Sequence, residues 1–580
     1  MDHGRAIHPR GRRLGRDSRA DPTGERRERL PRPGGPAPRR RLLGAPQGAP
    51  LLPKSHPRPR SPAHRLRSRS DRGGQNDRPE RTDAAGGRLI RSLFLCLLVC
   101  AHATASVAES PHPNIVVILA DDLGWNDVGY HGSEIRTPNL DRLAAEGIEL
   151  DRFYVQPSCS PTRSALMTGK SSRRLGIHRP LGKNEADGLG LDERILPQYL
   201  ADLGYQPLMV GKWHLGHYVP DYFPQSRGFE HFYGYLTGGI GYWDHNHGGG
   251  HDWQRNGETL REEGYSTQLL ADEAVRLLRD RDPVRPTFLY FALPAPHLPN
   301  EAPEAALASY REIEDEKRRR HAGMVTELDT AVGRILDALR VEGMLENTLV
   351  FFSSDNGGLS PEARFPLFAR ASELALSIFD RPIPIASLEF MASNTLDGAS
   401  DNTPLPGGKM MIAEGGARVA ASIWWPGRLE GGRHDRFMTI SDVLPTILEA
   451  IGAPEKIPGD LDGASQWGVL SGTGESATPD YVIGDTGAMA LYRAPWKLVL
   501  EGGAPRLYDV FADPLERRDV AAAHPDVLAS MAVAAEAWPR NSRPGETSPL
   551  HFLWDPDGFG GAEDRAPWAD VARERAEASR

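Results

Sequence analysis

Four short apolar runs constrain this chain more than any other feature: residues 114–120 (NIVVILA), 206–210 (QPLMV), 287–293 (TFLYFAL) and 348–354 (TLVFFSS). Each has the length of a strand. None alternates apolar with polar, as a strand wetted on one face would, so each belongs where both faces are covered. Helical segments lie between them. Pro138 starts the segment NLDRLAAE, which stops at Gly147, and Met324, Val325, Leu328, Val332, Ile335, Leu336 and Leu339 recur at helical spacing over residues 321–340. Alternation of strand and helix predicts the α/β class, a mostly parallel sheet sandwiched by helices.

Polar, chemically capable residues stand at the C-terminal end of every run. The first leads into Asp121-Asp122, the second into Gly211-Lys212-Trp213-His214, the third to His297, and the fourth into Asp355-Asn356-Gly357-Gly358. Open α/β sheets bind ligands at this edge. Three carboxylates and a carboxamide are hard oxygen ligands suited to Ca²⁺ or Mg²⁺, whereas Zn²⁺ favours more His or Cys. Any one Asp-Asp or Asp-Asn pair could be a turn or a helix cap. Their recurrence at successive strand ends is what points to a metal site.

The formal charge of −9 conceals a division. Residues 1–91 carry 24 Lys and Arg against 9 Asp and Glu, a net of +15, which leaves −24 for the remainder. An acidic body argues against nucleic-acid binding, which needs clustered cations. The head, residues 1–88, is rich in Arg, Pro and Gly without apolar periodicity and reads as a disordered extension or a mis-assigned translation start. Residues 89–108 have the layout of a secretory signal peptide: Arg88 and Arg91, an apolar core over 93–101, then small residues with cleavage after Ala103, Ala105 or Ala108. That core is shorter than the ~20 residues that span a bilayer, so the expectation is export to the periplasm or beyond, with no permanent membrane span. Cleavage would remove Cys96 and Cys100 and leave Cys159 alone.

Around Cys159 the chain reads PSCSPTRSALMTGK, with Pro161 suited to the first turn of a helix and Gly169 to its end. The order Cys159-x-Pro161-x-Arg163 with Thr168-Gly169, then GKWHLG, then DNGG, resembles the formylglycine-dependent sulfatases of the alkaline-phosphatase-like superfamily. PTRSALMTG, VGKWHLG and RGFEHFYGYL are most similar to arylsulfatases of the N-acetylgalactosamine-4-sulfatase (arylsulfatase B) type. The resemblance runs closely over 112–358, resumes at 406–419 (PGGKMMIAEGGARV) and continues weakly to about 520. It implies a catalytic domain over 110–455, a smaller antiparallel-sheet subdomain over 456–540 and a tail over 541–580.

The resemblance also implies roles. A formylglycine-generating maturation enzyme would oxidise Cys159 to Cα-formylglycine, whose hydrate attacks the sulfur of a sulfate ester; a plain serine or thiolate would be left sulfated, whereas a sulfated hemiacetal can expel sulfate. Asp121, Asp122, Asp355 and Asn356, together with residue 159, would hold Ca²⁺, with Mg²⁺ second. Arg163 would fix the hydrated group. Lys212 and Lys409 would bind sulfate oxygens, His297 would protonate the leaving oxygen and His214 would assist breakdown of the gem-diol. The substrate would be a sulfated saccharide or an aryl sulfate. Phosphate or phosphonate ester hydrolysis is the alternative enzyme reading, and an unmatured carbohydrate-binding protein is the non-enzymatic one.

Two departures stand out. Residues 359–403 form an insertion beside the lysine motif and read as a substrate-shaping lid. The stretch GYWDHNHGGGHDW (241–253) offers Trp243 and His245 as groups to stack on sugar rings, with a second metal site as the weaker reading.

Overall fold

The computed structural model describes residues 112–361, 398–544 and 566–580, apart from the single positions 184, 476, 478 and 486. The basic head, the stretch 89–108 read as a signal peptide and most of the stretch 359–403 read as an insertion lie outside the described residues. The four apolar runs become β1 (Asn114–Ala120), β3 (Gln206–Lys212), β7 (Thr287–Ala292) and β8 (Thr348–Ser354). A fifth parallel strand, β4 (His231–Tyr235), lacks the apolar signature and is not evident from sequence. Short strands β2 (Ile148–Leu150), β5 (Gln254–Arg255), β6 (Glu258–Thr259), β9 (Ala421–Trp424) and β10 (Gly432–His434) complete a ten-stranded sheet in the order β10-β2-β9-β8-β1-β7-β3-β4-β5-β6. Its middle, β8-β1-β7-β3-β4, is parallel throughout, and antiparallel pairs extend it at β8–β9, β9–β2, β4–β5 and β5–β6.

Both faces are dry, as the unbroken apolar runs require. Ile115, Val117 and Leu119 of β1 enter one core with the buried helix α2 (Cys159–Thr168). Val116, Ile118 and Ala120 enter the other, beneath α1 (Pro138–Glu146), α3 (Ser266–Asp280) and α4 (Glu316–Val341). Helix α4 starts earlier than the expected residue 321, at a cap where the Asp315 side chain accepts from the Arg318 amide. Apolar periodicity could not reveal that first turn, because Glu316 to Arg320 are all charged.

A four-stranded antiparallel sheet, β11 (Tyr481–Asp485), β12 (Ala488–Arg493), β13 (Trp496–Glu501) and β14 (Arg506–Asp509), packs Tyr481, Ile483 and Tyr492 into the same core as α2. Its other face lies under α6 (Pro525–Ala537), counted after α5 (Val443–Ala450). The end of the tail also folds back: α7 (Trp568–Ala578) buries Trp568 against the rings of His217 and His247. No described helix is long and apolar enough to cross a membrane.

Candidate active site

Helix α2 holds Cys159 in its first turn and ends at Gly169, whose φ of 69° is left-handed. Cys159 is 2% exposed, and its Sγ lies 3.2 Å from Nδ1 of His214. The other ring nitrogen of His214, Nε2, is 3.0 Å from the Leu181 carbonyl. A carbonyl only accepts, so Nε2 carries the hydrogen and Nδ1 turns a lone pair toward residue 159. Burial, then the charge of Lys212, holds His214 well below the usual histidine range, and burial pushes the Cys159 thiol up. The pair is therefore neutral on both sides at neutral pH.

The carboxylates arrive together because of strand register. Ala120 pairs with Ser354 across β1 and β8, so Asp121 and Asp355 leave the sheet side by side, and the Asp355 amide donates to the Ala120 carbonyl at 3.0 Å. Strand β3 delivers Lys212 beside them only because residue 211 is glycine. Its φ is 111°, and a Cβ there would lie 1.8 Å from the Ala292 carbonyl oxygen of β7.

Three cations then meet three carboxylates. Arg163 donates to Asp355 Oδ2 from Nε (3.0 Å) and Nη2 (2.8 Å), and from Nη1 to the Lys212 carbonyl (2.9 Å). The Nζ of Lys212 is 2.7 Å from Asp121, and that of Lys409 is 2.7 Å from Asp122. Asn356 donates to Asp122 Oδ1 at 2.7 Å, and Nε2 of His297 lies 3.6 Å from Asp122 Oδ2. Most of these groups are sealed, but the Lys409 side chain is 13% exposed and opens beside the exposed Met410 and Met411.

The donor set fits a hard divalent cation. Asp121 Oδ1 and Asn356 Oδ1 are buried acceptors with no hydrogen-bond partner, an arrangement that costs about 1–3 kcal/mol per group unless something positive meets them. Burial, together with the charges of Asp355 and Asp122, raises the Asp121 carboxyl to about 8 despite Lys212. Burial would also raise Asp122, but the charge of Lys409 and the hydrogen bonds from Lys409 and Asn356 hold that carboxyl low. Among the described residues, Asp121, Asp122 and His297 form the acidic and histidine group close enough to share an ion.

The 241–253 stretch does not add to that group. His245, expected to face a saccharide, is corrected: it is fully buried, stacked on Trp253 with ring centroids 4.4 Å apart. Its left-handed φ of 57° belongs to a tight turn whose side chain goes under the Trp253 ring rather than outward. His247 meets the Gly239 carbonyl through Nδ1 at 2.6 Å, and His251 meets the Leu260 carbonyl through Nε2 at 2.6 Å. Trp243 is 50% exposed, tilted against Tyr265.

Two supporting residues carry no clear mark in the sequence. Asn402 accepts from the Gly358 amide at 2.9 Å and donates to the Gly358 and Gly407 carbonyls, tying the DNGG turn to the Lys409 loop. It sits in a divergent segment and offers no signal. Glu414, fully buried, accepts from Tyr154 (2.7 Å), Tyr492 (3.0 Å) and Lys497 (3.2 Å), linking the Lys409 segment to the small sheet. A glutamate set in the Gly-rich, apolar MIAEGGARV is the one available clue.

This geometry defines a class: α/β proteins with a buried carboxylate and histidine group, close enough to share a cation, at the edge of a mostly parallel sheet. Residues 113–453, more than half of the chain, match the Sulfatase family, and the chain belongs to it. It is 36% identical over 377 residues to arylsulfatase J of Mus musculus, covering 63% of this chain and 57% of that relative. It is 33% identical over 392 residues to N-acetylgalactosamine-6-sulfatase of Canis lupus familiaris, covering 63% of this chain and 68% of the relative. Among solved structures, Ps i-CgsB in complex with k-i-k-neocarrahexaose matches with a TM-score of 0.65 and 27% identity over 78% of this chain and 99% of that chain. The fold is the alkaline-phosphatase-like one that the resemblance around Cys159 implied.

Proposed function

We propose that this protein hydrolyses sulfate esters of a saccharide, with residue 159 working as formylglycine beside a divalent cation, Ca²⁺ before Mg²⁺. The observation that carries the reading is the Cys159–His214 pair beside buried oxygen atoms of which two, Asp121 Oδ1 and Asn356 Oδ1, accept no hydrogen bond. When present, the formylglycine hydrate supplies a nucleophilic hydroxyl with a second hydroxyl for sulfate release, and the cation, held by Asp121, Asp122, Asp355 and Asn356, supplies charge opposite the sulfate.

The remaining work falls to side chains already in position. His214 Nδ1, fixed as an acceptor by the Leu181 carbonyl, takes a proton from the group at residue 159. Lys212 and Lys409 direct ammonium donors at the sulfate oxygens, where charge develops. His297 keeps Nδ1 on the Leu298 carbonyl at 2.7 Å, which leaves Nε2 to carry the proton that the departing oxygen needs. Burial, then the charge of Lys409, keeps His297 neutral in the free site. A sulfate ester bound between the two lysines offsets that charge and favours the protonated ring. Saccharide is favoured as the leaving group because the similar Ps i-CgsB is described with a carrahexaose and a similar mammalian relative is an N-acetylgalactosamine sulfatase. We assign the protein to the exported compartment on residues 89–108, with a formylglycine-generating enzyme as its maturation partner.

The deciding experiment co-expresses the chain with that maturation enzyme and measures sulfate release from a panel of sulfated saccharides, aryl sulfates and phosphonate monoesters, with mass spectrometry of the peptide spanning Cys159. Release from saccharides with conversion of Cys159 supports the reading; an unconverted thiol in active protein, or turnover of phosphonates alone, defeats it. Chelation is a second check. Dialysis against a chelator should remove activity, and Ca²⁺ restored to about 100 times its Kd should return it and stabilise the fold by about 2.7 kcal/mol. A Tm indifferent to Ca²⁺ and Mg²⁺ would contradict the cation site.

Trp243 remains the aromatic group available to a sugar. Trp243→Ala should raise KM for a sulfated oligosaccharide roughly five-fold, the loss of about 1 kcal/mol of ring contact, and leave a small aryl sulfate unaffected. Equal losses on both substrates would remove Trp243 from the binding surface.

A further inference from the structure

Beyond β4 the chain runs Leu236-Thr237-Gly238-Gly239, and this segment touches both site histidines. A Cβ built on Gly238 would lie 2.8 Å from Cε1 and 3.0 Å from Nε2 of His214; one built on Gly239 would lie 2.8 Å from Cε1 and 2.9 Å from Nδ1 of His297. Neither glycine has a left-handed φ. Space, not backbone conformation, is what each position demands. Carbon atoms pack at about 3.5–4.0 Å, so either methyl would have to push a ring aside. The rings have little room to yield, being 3% and 7% exposed, with His214 pinned at both nitrogens and His297 at Nδ1.

The segment is itself anchored. The buried Asp252 carboxylate accepts from the Leu236 amide (3.1 and 3.0 Å) and from the Thr237 amide (2.9 Å). The Gly239 carbonyl is held at 2.6 Å by His247 Nδ1, and the Leu236 carbonyl accepts from the His214 amide at 3.0 Å. Just beyond, the Tyr242 hydroxyl donates to the carbonyls of His297 (2.8 Å) and Pro294 (2.9 Å). One short stretch thus abuts the two rings and also grips the loop that carries His297.

We propose that Leu236 to Gly239, clamped by Asp252, is the positioning element for both histidines, with Gly238 setting His214 and Gly239 setting His297. The division of labour rests on the sulfatase reading above, in which His297 serves the leaving oxygen and His214 serves residue 159. Displacement of a proton donor by about 1 Å can cost on the order of 100-fold.

Double-mutant cycles on the matured, metal-loaded protein test it. Gly239→Ala should lower kcat on a sulfated saccharide by roughly 10- to 100-fold with little change in KM, and by less than about two-fold in a His297→Ala background, because partners acting as a unit are not additive. Gly238→Ala should show the same non-additivity with His214→Ala and none with His297→Ala. The leaving group separates the two further: Gly239→Ala should spare 4-nitrophenyl sulfate, whose phenolate leaves with little need of a proton, while Gly238→Ala should slow both substrates alike. Additive losses in all four combinations would overturn the proposal. An NMR readout needs no turnover: the Cε1–H resonance of His297 should move in Gly239→Ala and that of His214 in Gly238→Ala, each without the other. If an alanine variant fails to fold, Asp252→Asn, which keeps the volume and removes an acceptor, should shift both resonances together; unmoved resonances would sink the idea. A wild-type protein that released no sulfate would defeat the sulfatase reading, and the resonances would still decide the positioning one.

Discussion

Replacing Cys159 by serine is expected to convert the protein into a single-turnover trap: one sulfate retained per chain, then no further release. The new hydroxyl would occupy the place of a thiol that sits 3.2 Å from His214 Nδ1, so the same imidazole can take its proton. In the reaction proposed above, the oxygen would attack sulfur, the bond from sulfur to the substrate oxygen would break, and the departing oxygen would collect a proton from His297. A serine sulfate has no second hydroxyl from which to eject sulfate, so the cycle stops there. Cys159→Ala, with no nucleophile, should retain nothing, and its kcat/KM should fall by about 10⁴-fold or more, as when other nucleophiles are deleted. Intact-mass spectrometry after incubation with a sulfate ester distinguishes the two variants. Steady turnover by either would mean that residue 159 is not the nucleophile. Thermal melts should change little, since the buried thiol makes a single polar contact and fills a small volume.

The parts legible beforehand were those in which local sequence fixes local structure. Unbroken apolar runs of strand length mark doubly covered strands, and polar residues just after them sit at one sheet edge; Asp121 and Asp355 follow from that, whereas Lys212, the last residue of its strand, also needs the clearance that Gly211 gives. Strand β4 escaped because HFYGY is short and carries a glycine and a histidine, so it lacks the apolar signature of its neighbours. With it went the Gly238-Gly239 segment, whose meaning is a clearance to two rings brought from other strands. His245 failed for the converse reason. In sequence it belongs to a run of histidines and aromatics suited to a sugar, and only the turn at φ 57° decides that its ring goes inward while Trp243 goes outward. Asn402 and Glu414 act over long separations in sequence, which no window of residues encodes.

The Arg163–Asp355 pair should be the costliest contact in the site to break. Both side chains are fully buried, and the guanidinium makes two bonds to one carboxylate oxygen while a third donor holds the Lys212 carbonyl. Arg163→Met removes the cation without much loss of apolar volume. Asp355 is then left charged or forced to protonate next to Asp121, whose carboxyl is already lifted to about 8 by burial and by its acidic neighbours. Breaking a buried pair in this way costs about 3–5 kcal/mol, and in a chain this long Tm should drop by about 3–6 °C. Asp355→Asn alone should also destabilise, because it strands the buried guanidinium. The double variant should lose clearly less than the sum of the two, since neither buried charge then remains without its counterpart. Ca²⁺ should rescue Arg163→Met by more degrees than it adds to the wild type, because a divalent ion at the same carboxylates replaces part of the missing positive charge. Single losses that simply add, or a methionine variant as stable as the parent, would show that Arg163 is held there for chemistry and not for the fold.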